Sequence, residues 1–79
     1  MRVAYMLIKV EVGAVESVAS RLMEIEEVTE VYSISGTYDI LAKILVEHYD
    51  QFGEIVPRKI HAISSIRETN TLLTFTAFK

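Results

Sequence analysis

The sequence predicts an α+β fold with the element order β-α-β-β-α-β, the split βαβ or ferredoxin-like arrangement. Two observations predict the elements: four apolar runs have the composition of strands, and two stretches have apolar residues at helical spacing. A third observation is that the 79 residues contain no internal repeat, low-complexity run or linker, so residues 1–79 are predicted to form one domain. Right-handed crossovers then place both helices on one face of an antiparallel four-stranded sheet.

The first half of the chain contains a strand, a helix and a second strand. Arg2 to Val12 is predicted to be a strand that is apolar on both faces and ends at Gly13. Apolar residues then recur at helical spacing from Val15 to Ile25, opposite charged residues, which indicates an amphipathic helix. The second strand is predicted over Val28 to Ser35.

The second half repeats the pattern in the order strand, helix, strand. Asp39 to Glu47 is again apolar on both faces, and a turn at Gly36 joins it to the preceding strand as an antiparallel hairpin. The second helix is predicted to begin at Asp50 or just before it. Pro57 removes an N–H and leaves the carbonyl four residues earlier unpaired, so a kink or an early end is expected. The last strand is predicted over Ser65 to Phe78.

The apolar content of the strands predicts self-association. The chain is 51% hydrophobic, and the sheet face opposite the helices is also predicted to carry Val, Tyr, Leu and Ile side chains. At about 25 cal/mol per Å² of apolar area, hiding several hundred Å² contributes on the order of ten kcal/mol before the costs of association. We therefore expect a twofold dimer that pairs the two open sheet faces, which is a dimeric α/β barrel.

Composition narrows the possible locations and partners. No cysteine is present, so the sequence contains no disulfide framework, zinc-thiolate site or thiol nucleophile. The apolar run before Lys9 is too short for a signal peptide or a membrane span, and we expect a cytoplasmic protein. The net charge is −3 and the 8 Lys and Arg residues are scattered, so direct binding to nucleic acid is not expected.

Three features together resemble a known family. They are the β-α-β-β-α-β order, the hairpin motif G-x-x-D at Gly36 to Asp39 followed by I-L-A-K-I-L-V, and the T-x-T of Thr69 and Thr71. Almost the whole chain resembles the RAM (regulation of amino acid metabolism) domain, the effector-binding domain of the leucine-responsive/asparagine-regulator (Lrp/AsnC) transcription factors. Family members also carry a helix-turn-helix domain, for which this sequence has no room, so a stand-alone RAM protein is expected.

The resemblance also implies partners. It implies a homodimer that assembles into a ring of four or five dimers, an octamer or a decamer, with amino acids bound between subunits. Full-length regulators of the same family are the further partners that it implies, through mixed assemblies. No cofactor is implied.

The candidate ligand-binding residues follow from the resemblance, and the chemistry of a free amino acid agrees with them. A zwitterion needs a carboxylate for its ammonium group and N–H or hydroxyl donors for its carboxylate. The family's effector contacts correspond here to Gly36, Tyr38, Asp39, Thr69 and Thr71, with Tyr38 at a variable position of the motif. Asp39 is the expected ammonium partner, and Gly36 lets the backbone approach a ligand. Asp39→Ala is expected to abolish binding and to leave the fold intact, because the turn is expected to be exposed.

Each of these residues also has a purely structural interpretation. Gly and Asp are favoured in turns and Thr in strands whether or not a ligand binds. Arg67 either pairs with Asp39 across an interface or lies in solvent, and solvent is the expectation. Tyr5, Tyr32 and Tyr49 are expected to be core or interface aromatics.

Two other functions remain open at this point. A small dimeric α/β-barrel enzyme, such as a monooxygenase, would need a base, a nucleophile or a metal site. The only histidines, His48 and His61, lie on different elements without a third ligand at metal spacing, and both are expected at the surface or at helix ends. A ligand-independent assembly partner of full-length regulators fits the apolar sheet face equally well, and a blocked pocket at Asp39 would favour it.

Overall fold

The element order is the predicted one in a computed structural model that describes all 79 residues. The four strands are β1 (Arg2–Val10), β2 (Val28–Ser33), β3 (Ile40–Val46) and β4 (Ile66–Leu73). The first helix is α1 (Val15–Met23), and the second helical region consists of a 3₁₀ turn (Tyr49–Gln51), α2 (Phe52–Ile55) and a π-helical turn (Val56–Ile60). The strands are ordered β2-β3-β1-β4 and every neighbouring pair is antiparallel, which confirms the ferredoxin-like fold.

The hydrophobic core lies between the helices and one face of the sheet. On the two central strands every second residue is buried, because successive side chains of a strand point to opposite faces. The central strands contribute Ala4, Met6, Ile8, Val10, Ile40, Ala42, Ile44 and Val46 to this core, and Val18, Leu22, Phe52, Ile55 and Ile60 cover them from the helical regions. No polar or charged residue is buried, so the core is held together by apolar packing.

The opposite face of the sheet, here called the open face, carries no element of the chain. The central strands place Val3, Tyr5, Leu7, Leu41 and Leu45 on it, all partly buried by their neighbours. The open face is therefore largely apolar along the central strands, as the sequence predicts, with Lys43 between Leu41 and Leu45. Its edges are more exposed, with Tyr32 on β2 and Leu72 on β4.

The second helical region differs from a regular helix at the position of the proline. The α-helical part ends at Ile55, and the chain continues as a wider turn in which His61 N donates to Val56 O at 2.9 Å, five residues back. Pro57 has no N–H for the α-helical pattern, and a π turn lets the following residues find other carbonyl partners. The expectation of an early end is confirmed.

All four strands are shorter than predicted. β2 ends at Ser33 rather than Ser35, and β3 spans Ile40–Val46 rather than Asp39 to Glu47. β4 ends at Leu73 rather than Phe78, because its only partner is β1, whose first residues lie opposite this point. Thr74 still donates its backbone N–H to Val3 O at 3.1 Å, after which no strand is available. β1 ends at Val10 rather than Val12, where its register with β4 shifts by one residue.

The three tyrosines named in the sequence analysis lie at different places. Tyr5 and Tyr32 are on the open face. Tyr49 is half-buried at the start of the second helical region, where its hydroxyl donates to Thr74 O at 2.6 Å and the Arg2 guanidinium lies 5.0 Å from its ring centroid. Tyr49 thus ties the end of β4 to the second helical region.

Candidate functional site

The loop between β2 and β3 is closed by backbone hydrogen bonds at its base. Ile34 N donates to Asp39 O at 3.0 Å, and Asp39 N donates to Ile8 O at 2.9 Å, which extends the ladder between β3 and β1. Gly36 has φ +111°, a conformation that other residues rarely adopt, and no atom lies within 4 Å of where a Cβ would be. The glycine is therefore needed for the course of the backbone, and the space beside it is open.

The Asp39 side chain has a structural partner inside the chain. Its Oδ2 accepts a hydrogen bond from Val10 N at 2.9 Å, in a half-buried position. The carboxylate thereby satisfies a backbone N–H at the end of β1, where the strand partner has ended. The premise of the Asp39→Ala expectation, an exposed turn, is wrong at Asp39 itself: Gly36 and Thr37 are exposed, but Asp39 is not. Its second carboxylate oxygen, Oδ1, accepts no hydrogen bond within the chain.

A register shift on the other side of β1 adds an extra residue to β4. Lys9 lies opposite Glu68 and Val10 lies opposite Ile66, which leaves Arg67 without a partner, as in a β-bulge. Ser65, just before β4, has φ +75° and accepts a hydrogen bond from Glu11 N at 2.8 Å. The β-bulge and the positive φ of Ser65 thus lie next to Val10, whose N–H donates to the Asp39 carboxylate.

A surface cavity of about 360 Å³, here called the Asp39 cavity, lies at this end of the sheet. Asp39 lines it together with Arg67 and with residues at the end of β1 and in the turn after it, among them Lys9, Glu11 and Gly13. The Lys9 ammonium donates to Thr37 O at 3.1 Å and so ties β1 to the hairpin loop. Arg67 makes no ion pair within the chain, and its side chain is exposed there. The choice between an interface partner and solvent stays a prediction.

Thr69 and Thr71 lie on the helix-facing side of β4, opposite Ile8 and Met6. His61, at the end of the π-helical turn, has its Nε2 3.0 Å from Thr69 Oγ1. A second surface cavity of about 330 Å³, the Thr69 cavity, is lined by His61, Thr69 and Arg67.

The structure brings the two halves of the predicted site to the same end of the sheet but not into one cavity. Ile40 pairs with Ile8, and Ile8 pairs with Thr69, so the start of β3 and Thr69 are two strand spacings apart, about 10 Å. Asp39 lines one cavity and Thr69 the other, while Gly36, Tyr38 and Thr71 line neither. Arg67 is the residue that lines both.

Sequence reasoning considered Arg67 as a partner of Asp39 across an interface but expected it in solvent, and it did not place His61 at this site. The bulge that leaves Arg67 unpaired depends on the register between β1 and β4, which has no signal in the local sequence. The spacing of eight residues between His61 and Thr69 spans a turn and the start of a strand, so it does not correspond to a regular helix or strand period either.

The open face carries one cluster of polar side chains. The Tyr32 hydroxyl donates to Glu30 Oε1, and Lys43 Nζ lies 3.2 Å from Glu30 Oε2. The hydrogen bond from Tyr32, and next the one from Lys43, lower the pKa of the Glu30 carboxyl, while Glu30 raises the pKa of both Tyr32 and Lys43. The open face therefore combines an apolar centre with a defined polar network towards β2.

The histidines and carboxylates form no cluster of three or more that could hold a metal ion. His48 is exposed at the start of the 3₁₀ turn, and His61 is exposed at the end of the π-helical turn, in agreement with the sequence prediction for both. The longest helix has nine residues, and none of the helices could cross a membrane.

The structure combines a cavity lined by cationic and carboxylate side chains with a ferredoxin-like sheet that leaves one face open. Comparison with known protein families identifies the class of domain. The Lrp/AsnC ligand binding domain matches residues 3–79, and the chain belongs to this family.

Known relatives agree with this assignment. The chain is 33% identical over 76 residues, 96% of its length, to the HTH-type transcriptional regulator FL11 of Pyrococcus abyssi, and it spans about half (50%) of that protein's length. The crystal structure of TTHA0845 from Thermus thermophilus is 29% identical in sequence and superposes with a TM-score of 0.95, over 100% of this chain and 99% of that one.

A structure with a bound amino acid shares the fold. The feast or famine regulatory protein from M. tuberculosis, complexed with L-methionine, is 21% identical and has a TM-score of 0.83 over 100% of this chain and 53% of that one. The chain is thus a ligand-binding domain homologous to transcription regulators.

Proposed function

We propose that this chain is an amino-acid sensor that modulates transcription regulators through its assembly state and acts without enzymatic activity or direct DNA contact. The amino acid would bind between subunits, with the loop of Gly36, Tyr38 and Asp39 from one subunit and Thr69 and Thr71 from a neighbour. The family membership and the methionine complex of a distant relative support an amino acid as the ligand.

The observation that carries the proposal is the state of the Asp39 carboxylate. Oδ2 is held by Val10 N at 2.9 Å, so the group has a fixed orientation, and Oδ1 accepts no hydrogen bond from the chain. A carboxylate that is oriented in advance and still has a free oxygen at a cavity wall can accept a hydrogen bond from an ammonium group without being reorganised.

Assembly would be the output of ligand binding. The open face supports a dimer, and the resemblance to the family supports a ring of four or five dimers. A ligand that binds between dimers has a higher affinity for the ring than for the free dimer, so it shifts the equilibrium towards the ring by mass action. In a mixed assembly with a full-length Lrp/AsnC regulator, this shift in assembly would act on the DNA-binding partner.

The charge of the chain supports an indirect role at DNA. A net charge of −3, with cations paired or scattered as in Lys43–Glu30 and Lys59–Glu27, gives no continuous basic surface for a phosphate backbone. The relatives' names as transcriptional regulators support a regulatory rather than an enzymatic role.

The experiment that tests the ligand site is calorimetric titration of the twenty amino acids, L-methionine first, with the particle mass followed by light scattering in the same buffer. At least one amino acid is expected to bind and to change the mass. If none binds and the chain forms a stable large assembly throughout, the sensor proposal is wrong and the ligand-independent assembly partner replaces it. The apolar open face, which needs no ligand to associate, is the observation that favours this second function.

Two variants separate the structural role of Asp39 from its role in binding. Asp39→Asn retains an oxygen acceptor for Val10 N and removes the charge, so we expect the free energy of unfolding to change little, while the affinity falls by about 10- to 100-fold. Asp39→Ala removes the acceptor as well and is expected to lower the free energy of unfolding by about 1–3 kcal/mol.

Glu11→Gln is the matched control, because Glu11 is an exposed carboxylate on the wall of the same cavity. If Asp39→Asn binds the amino acid as tightly as Glu11→Gln does, Asp39 is not the ammonium partner. Chemical denaturation of the same samples reports the stability of each variant.

A further inference from the structure

The Asp39 cavity contains charges of both signs that do not neutralise one another. Lys9, Glu11, Asp39 and Arg67 all line it. The three ion pairs of the structure, Arg21–Glu24, Lys43–Glu30 and Lys59–Glu27, lie elsewhere. A cavity of about 360 Å³ with separated cationic and anionic walls is complementary to a zwitterion rather than to a simple cation or anion.

The two cationic side chains of the cavity differ in their availability. Lys9 donates to Thr37 O at 3.1 Å and so has a structural task in holding the hairpin loop. Arg67 makes neither an ion pair nor a side-chain hydrogen bond, although its guanidinium carries five N–H donors. Arg67 is therefore the cation of this cavity that is free to bind an anion.

The two carboxylates of the cavity also differ in whether the chain holds them in place, and here the side chain that is held is the better ligand partner. Glu11 is exposed, and no hydrogen bond orients its side chain, whereas Asp39 is half-buried and oriented by Val10 N. Ordering a flexible side chain on binding costs free energy, so the carboxylate that is already oriented is the better partner for an ammonium group. The exposed Arg67 does have to be ordered on binding, and what it offers is a charge that no group of the chain neutralises.

The bulge places Arg67 next to Val10, the residue that donates a hydrogen bond to Asp39. Arg67 is the unpaired residue opposite the step from Lys9 to Val10, and Val10 is the residue whose N–H holds Asp39. Bulges redirect side chains and are found next to functional sites. Arg67 lines both the Asp39 cavity and the Thr69 cavity.

We infer that the Arg67 guanidinium binds the α-carboxylate of the amino acid whose α-ammonium group is held by Asp39 of the same chain. The inference rests on the proposed function and adds a carboxylate partner to it. The planar guanidinium matches a carboxylate in two parallel hydrogen bonds, which a lysine at this position would not provide. The threonine hydroxyls would then supplement a charged partner rather than be the only donors.

Arg67→Gln tests the inference, with Arg58→Gln as the matched control, because Arg58 is an exposed arginine without an ion pair on the π-helical turn. The ligand is the amino acid that binds most tightly among the twenty. We expect Arg67→Gln to lose about 10- to 100-fold in affinity, Arg67→Lys to recover part of this loss, and Arg58→Gln to bind as the unchanged chain does. Equal affinities of Arg67→Gln and Arg58→Gln would overturn the inference and leave the amino-acid sensor standing.

The α-carboxamide of the same amino acid shows which ligand group Arg67 contacts, at a pH at which both ligands carry the ammonium charge. The unchanged chain is expected to prefer the amino acid over the amide, and Arg67→Gln is expected to lose this preference. An undiminished preference in Arg67→Gln would show that Arg67 does not bind the carboxylate. If none of the twenty amino acids binds the unchanged chain, the proposed function itself fails, which is a different outcome from either of these.

Discussion

The two faces of the sheet are built from the same strands and have opposite environments. On the helix-facing side Ala4, Met6, Ile8, Ile40, Ala42 and Ile44 are 0% exposed. On the open face their sequence neighbours Tyr5, Leu7 and Leu41 are only partly buried, although they are just as apolar. A chain that places Leu and Tyr on both sides of its central strands carries more apolar surface than its own helices can cover.

The faces also differ in their polar content. The core has no buried polar or charged residue, whereas the open face has the network of Glu30, Tyr32 and Lys43. A second copy that docks on this face has to leave the network intact or replace its hydrogen bonds, because buried polar groups without partners cost free energy. One face stabilises the fold, whereas the other combines an uncovered apolar surface with a hydrogen-bonded polar network.

The largest expected effect is at the core. Ile8→Ala should lower the free energy of unfolding by about 2–5 kcal/mol, because it leaves a cavity under the helices that the neighbouring side chains cannot fill. Urea denaturation at several protein concentrations measures it. A loss that disappears at high concentration would mean that association, and not the core, limits the stability.

The second-largest effect is expected on association, from a change at Leu7, the neighbour of Ile8 on β1. Leu7 lies opposite Leu41 and Asn70 near the middle of the open face. If the open face is the proposed dimer interface, Leu7→Lys should weaken association by at least about 100-fold, because a charged group would be desolvated at its centre. Sedimentation equilibrium measures the dissociation constant.

Circular dichroism of Leu7→Lys should remain that of the folded chain, whereas Ile8→Ala should lose its folded spectrum at a lower urea concentration. If Leu7→Lys assembles as the unchanged chain does, the open face is not the interface between copies. The pair of variants differs by one position in the sequence and so isolates the effect of the face.

The smallest effect is the response of the open face to pH. Because the folded-state pKa of Glu30 lies below its ordinary value of 4.5, its contribution to stability is present above that value and is lost as the pH falls through the lowered folded-state pKa. Glu30→Gln should therefore remove part of the loss of stability that occurs as the pH falls below 4.5. The unfolding midpoint in urea, followed across this range, measures it.

Glu27→Gln is the comparison for Glu30→Gln, because the hydrogen bond from Lys59 lowers the pKa of Glu27 at a site away from the open face. Both variants should reduce the acid sensitivity of unfolding, but only Glu30→Gln should alter the pH dependence of association. Identical effects of both variants on association would contradict a role of the polar network in the interface.

The fold could be predicted from the sequence to a large extent, because strand and helix periods are local properties. The alternation of β1 and β3 and the spacing of α1 appear directly in the residues. The ends of elements were less predictable: the Thr- and Phe-rich pattern continues to Phe78, but a strand needs a partner, and β1 starts too late to provide one. Pro57 signalled the end of α2, although the π turn that follows was not foreseen.

The candidate site was predictable only as a set of residues. Gly36 and Asp39 stand out as turn residues in a recognisable motif, and the positive φ of Gly36 agrees with the expected turn. The sequence does not reveal that Asp39 binds Val10 N, 29 positions away, or that Arg67 lines the cavity of Asp39. The binding roles of Gly36, Tyr38, Asp39, Thr69 and Thr71 stay predictions until a ligand is titrated.

The sequence by itself determined the order of the elements and the apolar character of both sheet faces, because periodicity and side-chain alternation depend on neighbouring residues alone. Only the tertiary structure decided the partner of the Asp39 carboxylate, the bulge at Arg67 and the separation of Asp39 from Thr69 by two strand spacings. These depend on strand register, which is set by the packing of the whole sheet against its helices and by no single segment of the chain.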